Sequence, residues 1–317
     1  MKPADSPAMQ SLWMLFAAFL FAFMGVCVKL ASDHYSTSEI VMYRGLIGMV
    51  FLFVITRIRG GSMSTHLPWH HLRRGIAGVA SLWLWFYAVS KLPLASGVTL
   101  NYMSSVWMAL MLLVIGWVKG RSSFTWKLGA AIVTSFLGVL LLLQPSFHMA
   151  QIVPISLGLL SGILSALAYL QVRQLGLMGE PEYRVVFYFS AMGFLAGFGG
   201  HAVTEQFTWH AHTLQSAGLL AAVGLCATVA QIAMTRAYRL GHPLVTANLQ
   251  YSGIVFSTIW GIIIWHDLLG VTSWLGIAVI LASGMVTTFY NYRNQSSVAA
   301  AQETPSIAAA QTQEKLS

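Results

Sequence analysis

Residues 128–172 read LGAAIVTSFLGVLLLLQPSFHMAQIVPISLGLLSGILSALAYLQV and contain no Asp, Glu, Lys or Arg. Three further uncharged runs cover Leu92–Val118, Leu240–His266 and Leu268–Tyr292. A helix needs about 20 apolar residues to cross the hydrocarbon core of a bilayer, which is about 30 Å thick. Each shorter run therefore suffices for one membrane span, and residues 128–172 suffice for two.

The composition of the whole chain is that of a membrane protein. Of its 317 residues, 57% are hydrophobic and only 8% are charged, whereas about a quarter of the residues in soluble domains are charged. The net charge of +8 does not indicate nucleic acid, because the basic residues lie in short segments between apolar runs and not on one solvent-facing surface. Cys27 and Cys226 are the only cysteines, too few for a disulfide framework or a cysteine-based zinc site.

Charges, Pro and Gly divide the chain into ten predicted transmembrane helices. The first is predicted to be an uncleaved helix and not a signal peptide, because comparable apolar segments follow it along the chain. Pro145 and Pro154 separate the fifth helix from the sixth, since the residue before a proline disfavours continued helix. The predicted helices lie near 11–31, 38–56, 72–90, 94–118, 126–143, 152–175, 184–204, 213–236, 243–265 and 272–291.

Lys and Arg predict the orientation, because the cytoplasmic loops of membrane proteins are enriched in both. With ten helices and a cytoplasmic N-terminus, every Lys and Arg lies in or beside a cytoplasmic segment except Lys29, Arg44 and Lys91. One missed helix would destroy this asymmetry. Both termini are therefore predicted to be cytoplasmic.

Two stretches that begin at Ala88 and Ala237 have a common pattern. The first reads AVSKLPLASGVTLNYMSSVW and the second AYRLGHPLVTANLQYSGIVF. Each passes through a proline-containing turn into a helix with an amide followed by Tyr. The first turn is predicted outside the cell and the second inside, as inverted repeats require. We therefore predict two five-helix repeats, 1–147 and 148–293, followed by a polar, disordered cytoplasmic tail, 294–317.

Several longer segments resemble the EamA-type members of the drug/metabolite transporter superfamily. In the first half they read FAFMGVCVKLASDHYSTSEIVMYR, with Gly25, Lys29 and Arg44 in the usual places, FYAVSKLPLASGVTLNYMSSVWMALM and WKLGAAIVTSFLGVLLL. In the second half they read AMTRAYRLGHPLVTANLQYSGIVF and WLGIAVILASGMV. Many relatives have Gly-Glu after the fourth and ninth helices. This chain has Trp117-Val118-Lys119 and Trp265-His266-Asp267 there, so no role of that acid is transferred.

The resemblance implies a multi-pass transporter of a bacterial inner membrane that moves a small organic metabolite, such as an amino acid or a related compound, by alternating access, with export favoured. An importer of a nucleoside-like or sulfonium metabolite such as S-adenosylmethionine is the alternative, and a non-transporting structural membrane protein is the alternative from another class. We expect no enzyme activity, because no intramembrane acid, His or nucleophile constellation is present, and no cofactor or metal. The expected partners are the substrate and the lipid bilayer, with a homodimer through the last helices of each half as one candidate assembly.

Polar groups inside a bilayer mark either a packed hydrogen bond or a water-lined path. Each of these polar residues either forms a hydrogen bond between helices or lines the cavity. For the aromatic residues, packing in the core is the alternative to lining the cavity. Arg44 could snorkel to the outer interface or act as a counter-ion for a substrate carboxylate. All nine Asp and Glu lie at or beyond helix ends, which leaves Glu39 as the first acid to consider for proton movement. The candidate substrate-binding residues are Arg44, Trp83, Tyr87, Asn101, Tyr102, Ser105, Tyr169, Gln231, Asn248, Gln250 and Tyr251.

Overall fold

The computed structural model describes residues 7–118, 149–204, 209–241, 249–266 and 270–279, together with residues 130, 134, 137–138, 141, 246 and 282. Within these ranges all regular secondary structure is helical. The helices are α1 (Pro7–Ser11), α2 (Trp13–Ala31), α3 (Thr37–Ile58), α4 (Pro68–Lys91), α5 (Leu94–Tyr102), α6 (Ser104–Val118), α7 (Met149–Leu177), α8 (Glu182–Thr204), α9 (Leu214–Leu240), α10 (Ser252–Trp265) and α11 (271–279).

Five helical stretches among the described residues are long and apolar enough to cross a membrane. They are Met9–Ala31, Thr37–Ile58, Gln151–Leu177, Glu182–Val203 and Leu214–Leu240. The prediction of an all-α membrane protein is thereby confirmed. Most of the predicted fifth and tenth helices, and the whole predicted tail, lie outside the described residues. The count of ten helices therefore stays a prediction.

Local side chains determine where several helices begin. The Ser36 side chain accepts a hydrogen bond from the Glu39 backbone N–H at 3.2 Å, and the Glu39 carboxylate accepts one from the Ser36 backbone N–H at 3.1 Å. This capping box satisfies two N–H groups that have no partner inside α3. Thr213 and Ser216 form the same reciprocal pair at the start of α9. Pro68 begins α4 at a position where its missing N–H is tolerated.

Several predicted helix boundaries differ from the structure. The predicted fourth helix is interrupted at Met103, directly after the Asn101-Tyr102 pair, and a turn at Tyr251 likewise precedes α10. Both residues keep right-handed helical dihedral angles, so the chain direction changes little there. Pro154 lies inside α7 and does not mark its start, because the helix begins at Met149.

The helices pack in pairs that join the two halves of the chain. α2 packs on α9, α3 on α8, α4 on α7, and α5 on α10. Each pair combines one helix from the first predicted repeat with one from the second. The space between the pairs is therefore bounded by both halves.

Glycines allow the closest of these helix contacts. A Cβ atom added to Gly45 on α3 would lie 2.3 Å from the backbone nitrogen of Phe194 on α8, and one on Gly197 would lie 2.4 Å from the Met42 nitrogen. Gly162 on α7 faces the Leu100 carbonyl of α5 in the same way. Small residues let helix backbones approach in a membrane, where van der Waals packing replaces the hydrophobic effect between helices. The glycines of α7 therefore serve packing within the chain.

The outer surface of the bundle is apolar. Large hydrophobic side chains are exposed on helices from both halves, among them Val50, Phe53, Leu195 and Ile263. Soluble monomers rarely expose contiguous apolar surface of this kind. The buried core includes Met24 of α2, Phe86 of α4 and Leu100 of α5, and lies beside the cavity described next.

Candidate functional site

A cavity lies at the centre of the bundle, between α2, α3, α4 and α5 of the first half and α7, α8 and α9 of the second. Its empty volume is about 490 Å³, including its opening. The lining residues are Phe21, Met24, Arg44, Arg74, Gly78, Ser81, Leu82, Trp85, Asn101, Tyr102, Ser165, Ala168, Tyr169, Phe189 and Gln231.

Two arginine side chains dominate the charge of this cavity. Arg44 comes from α3 and Arg74 from α4, and each is only 2% exposed. Their guanidinium carbons lie 4.9 and 4.1 Å from the centre of the same Phe189 ring. The Nε and Nη1 atoms of both side chains have no hydrogen-bond partner among the described residues. Arg44 therefore does not snorkel to the interface.

No carboxylate from the described part of the chain lines the cavity to neutralise these charges. Arginine stays protonated in proteins, so both charges persist at neutral pH. Removal of an ion from water has an effective penalty of several kcal/mol, and a cation–π contact returns about 0.5–2 kcal/mol. The Phe189 ring therefore offsets only part of the cost of burying two guanidinium groups.

Hydroxyl and amide groups form a polar part of the cavity wall. Asn101 donates from its side-chain nitrogen to the hydroxyls of Ser161 and Ser165, at 3.1 and 3.0 Å. The Ser81 and Ser165 hydroxyl oxygens are 2.6 Å apart, and Ser81 also donates to the Ser161 carbonyl at 2.8 Å. These bonds connect α4 and α5 to α7. Asn101 thus holds the two halves together and faces the cavity.

A tyrosine cluster continues this wall toward α9 and α10. The Tyr238 hydroxyl donates to the side-chain oxygen of Gln250 at 3.1 Å, and the Gln250 amide donates to the Tyr169 hydroxyl at 3.3 Å. The rings of Tyr169 and Tyr238 stack with centroids 5.6 Å apart. Gln250 thus positions Tyr169, and Tyr169 lines the cavity.

The structure brings about half of the predicted site residues together. Arg44, Asn101, Tyr102, Tyr169 and Gln231 line the cavity. Five others lie outside its lining in this conformation: Trp83, Tyr87, Ser105, Gln250 and Tyr251. Asn248 lies outside the described residues. The substrate-binding roles of all eleven stay predictions.

The contacts of the residues outside the lining explain their placement. Trp83 faces Gly200 on α8, where an added Cβ atom would lie 2.1 Å from the Trp83 ring. Tyr251 is buried and shares a hydrogen bond with Ser105. These residues join helices, which is the alternative that the sequence left open.

Sequence reasoning missed several lining residues on α4. Arg74, Gly78, Ser81 and Trp85 recur at intervals of three or four positions, so they share one face of the helix. This periodicity was a usable signal. The charge pattern instead assigns Arg74, like Arg73, to the cytoplasmic side, because both residues lie at the start of the helix that is predicted to begin near residue 72.

Polar contacts connect the two halves of the chain at the ends of the helices. We define the Glu39 end as the residues 32–39 and 209–213, and the Glu180 end as the residues 59–71 and 178–184. At the Glu39 end, the buried Glu39 carboxylate lies 2.7 Å from Nδ1 of the half-exposed His210. The Tyr35 hydroxyl lies 2.7 Å from Nδ1 of His212. Both contacts connect the first half of the chain to the second.

The Glu180 end has a similar connection. The Glu180 carboxylate lies 2.8 Å from Nε2 of His71 and 3.0 Å from Nη1 of Arg184, and it also accepts a hydrogen bond from Thr65. Burial alone would raise the pKa of the Glu180 carboxyl. The hydrogen bonds from Thr65 and His71 and the charge of Arg184 outweigh burial and lower this pKa. Glu180 is therefore ionised at neutral pH.

Known proteins resemble this chain over most of its length. Residues 9–144 match the EamA-like transporter family. The pseudopaline exporter of Pseudomonas aeruginosa is 31% identical over 251 residues, which make up 79% of this chain and 86% of the exporter. The riboflavin transporter of Vibrio cholerae is 24% identical, over 87% of this chain and 92% of its own. One crystal structure shares the fold with a TM-score of 0.67 at 16% identity, covering 89% of this chain and 99% of that protein.

Proposed function

The chain belongs to the EamA-like transporter family, and from that premise we propose that it exports a small organic metabolite, an amino acid or a related compound, by alternating access through the central cavity. The observation that carries this proposal is the composition of the cavity wall. Arg44, Asn101 and Tyr102 come from the first half of the chain, and Tyr169 and Gln231 come from the second. A site that both halves share opens to one side or the other when the halves rock.

The helix pairing supports two inverted repeats. An in-plane two-fold axis relates each helix to its counterpart in the other half. It would exchange the pair α2–α9 with the pair α7–α4, and it would map α3–α8 and α5–α10 onto themselves. The structure contains all four pairs. The polar contacts at the Glu39 end and the Glu180 end then act as two gates that open alternately.

The orientation, location and direction of transport belong to the same proposal. The distribution of Lys and Arg favours cytoplasmic N- and C-termini in a bacterial inner membrane. The name of the Pseudomonas aeruginosa relative describes an exporter, which favours export here. Within this proposal Glu39 lies at the outer gate and Glu180 at the inner gate.

A comparison of metabolites in cells with altered amounts of the protein tests the function. Deletion should raise one or a few metabolites inside the cell, and overexpression should raise the same compounds in the medium. Ala168 lines the cavity, so Ala168→Trp should abolish the effect of overexpression by filling the site. Leu167 is its exposed neighbour, and Leu167→Trp provides a matched control.

Protein abundance in the membrane must be equal among these strains. If Ala168→Trp, at equal abundance, exports the same compounds as the unaltered protein, the cavity is not the transport site. If deletion and overexpression leave every metabolite unchanged, the export proposal is wrong.

A further inference from the structure

We infer that the transported compound is an organic anion whose negative group binds between Arg44 and Arg74. This inference rests on the proposed function and names the substrate class of the same cavity. It starts from the position of the two side chains, which reach the cavity from different helices and meet over one ring, that of Phe189. Two like charges gathered at one buried place repel each other unless an anion separates them.

Among the described residues, no carboxylate lines the cavity around these guanidinium groups as a counter-ion. The buried acids at the two proposed gates already have partners of their own. Glu39 contacts His210, and Glu180 contacts His71 and Arg184. Nε and Nη1 of both arginines remain unpaired within the described residues. An arginine fork presents parallel N–H groups that match the two oxygens of a carboxylate or phosphate. A bound anion would therefore accept hydrogen bonds from these donors.

The same charges exclude another class of substrate. A sulfonium or quaternary ammonium compound would bring a third positive charge beside two that are not neutralised. The aromatic residues of the cavity could attract such a cation, but the Phe189 ring already contacts both guanidinium groups. The hydroxyl and amide wall around Asn101 and Gln231 suits the uncharged polar part of an anion.

Gly78 leaves the space that the Arg74 side chain occupies. It lies one helical turn after Arg74, and a Cβ atom at Gly78 would lie 1.8 Å from Nη1 of Arg74. The guanidinium thus lies across the helix surface where only glycine leaves space. Gly78→Ala would displace the charge without removing it.

Ligand-dependent thermal stability of the full chain in lipid nanodiscs tests the inference. The probes are glutamate and citrate as carboxylates, a sugar phosphate as a phosphate monoester, trimethylsulfonium and choline as cations, and a neutral sugar. At least one anion should raise the unfolding temperature in a saturable way, and the cations and the sugar should not. The carboxylate and phosphate arms identify which anionic group the site prefers.

Variants connect the effect to the two arginines. Arg44→Gln and Arg74→Gln should each raise the anion concentration for half-maximal stabilisation by roughly tenfold or more, which corresponds to the loss of one charge-assisted contact. Gly78→Ala should weaken binding to a smaller degree. Arg73 is exposed beside Arg74, so Arg73→Gln keeps the helix sequence nearly intact and should bind anions normally.

A second readout separates binding from a structural role. Because the guanidinium groups are buried without a counter-ion among the described residues, Arg44→Gln and Arg74→Gln should raise the unfolding temperature of the ligand-free protein while they weaken its response to anions. Stabilisation by the cations alone, or an unchanged anion response in both Gln variants, would overturn the inference. If no anion binds but the cellular export assay succeeds, the anion inference fails and the proposed function stands. If an anion binds but deletion and overexpression change no metabolite, the arginine pair is an anion-binding site and the proposed export function fails.

Discussion

Three basic side chains fall outside the cytoplasmic charge pattern, and their surroundings differ. Lys29 donates to the Leu92 carbonyl at 2.9 Å and lies 4.9 Å from the centre of the Trp265 ring. Lys91 is exposed at the end of α4. Arg44 alone is buried with unpaired donors. The first two have the contacts of residues at a membrane interface, and Arg44 has those of a binding group.

Asn101 and Gln250 would occupy equivalent places in the two proposed repeats, and of the two Asn101 lines the cavity. We expect Asn101→Ala to reduce transport strongly, because it removes a polar group from the site. Gln250→Ala should reduce transport less, because it only releases Tyr169 and Tyr238 from their hydrogen bonds. Loss of either amide should lower stability by roughly 1–3 kcal/mol. Initial rates in proteoliposomes, normalised to folded protein, test this order.

The opposite order, with Gln250→Ala more damaging to transport at equal folding, would place the substrate among α7, α9 and α10. In that case the tyrosine cluster, and not the arginine pair, would be the main contact. Ser252→Ala provides a control, because the Ser252 hydroxyl donates only to the nearby Leu249 carbonyl. Ser252→Ala should change neither the transport rate nor the stability.

Glu180 gives the stability of the protein a dependence on acid pH. Its pKa is lower in the folded protein than its ordinary value of 4.5, so its stabilising contribution is full above that value and is lost as the pH falls through the folded pKa. The unfolding temperature should therefore fall between about pH 5 and pH 3. Glu180→Gln should make the curve flatter over this range and lower the unfolding temperature at pH 7. Glu182→Gln removes a more exposed ion pair with Arg239 and should change little. A curve for Glu180→Gln that parallels that of the unaltered protein would exclude this role.

Polar residues inside apolar runs predicted part of the cavity lining, because a polar group inside a bilayer is energetically costly and marks either a hydrogen bond or a water-lined path. Arg44, Asn101 and Gln231 were found in this way. Arg74 was not, because an arginine near a helix end also fits the orientation rule. Only its burial on the α4 face separates the two explanations, and burial depends on the neighbouring α8.

At the level of helices, hydrophobic length predicted the spans well and their interruptions poorly. The boundaries of α3 and α8 agree with prediction to within two residues. The interruption at Met103 could not be predicted, because its residues have ordinary helical preferences and no proline or glycine occurs there. The turn at Tyr251 lies one residue before the position that corresponds to Met103 in the second proposed repeat.

The α3–α8 contact depends on Gly45. In Gly45→Ala the new Cβ atom would lie 2.3 Å from Phe194 N and 2.6 Å from Ser190 O. Both are backbone atoms, so the two helices must separate. We expect a loss of stability of roughly 1–3 kcal/mol or more, visible as a lower unfolding temperature in nanodiscs. Transport should also fall, because Arg44 lies next to this contact.

Gly199 lies on the same α8 helix with no atom within 4 Å of an added Cβ. Gly199→Ala should therefore be neutral or stabilise the helix by up to about 1 kcal/mol. Equal destabilisation by both substitutions would show that glycine flexibility, and not close packing, matters in this region.

For the whole molecule, the proposed orientation predicts which loops are accessible from outside. The chain is first freed of Cys27 and Cys226, and a single cysteine is then introduced. Ala211→Cys at the Glu39 end should react with an impermeant maleimide on intact spheroplasts. Ser64→Cys at the Glu180 end should react only after the membrane is permeabilised, and a reporter fused after Ser317 should be active in the cytoplasm. The reverse labelling pattern would show the opposite orientation in the membrane. The distribution of Lys and Arg would then no longer support ten helices.

Energy coupling is the property that the cavity and the charge distribution predict together. No Asp, Glu or His from the described residues lines the cavity, and proton-driven carriers commonly embed such groups. The simplest mechanism is therefore facilitated diffusion or exchange. Under the anion inference an inside-negative potential drives export, because each elementary charge that crosses gains about 2.3 kcal/mol per 100 mV.

In proteoliposomes, counterflow of the identified substrate should proceed at equal pH on both sides without a membrane potential, and an inside-negative potential should accelerate efflux of an anion. A pH gradient alone should not drive accumulation. If it does, and an ionophore abolishes the accumulation, a proton-carrying group must exist outside the cavity lining. Glu39 is then the first to test, since it is fully buried and lies 2.7 Å from His210 at the proposed outer gate. Glu39→Gln should in that case remove uphill accumulation and leave counterflow intact, because exchange needs only the rocking of the two halves and a site that both of them share.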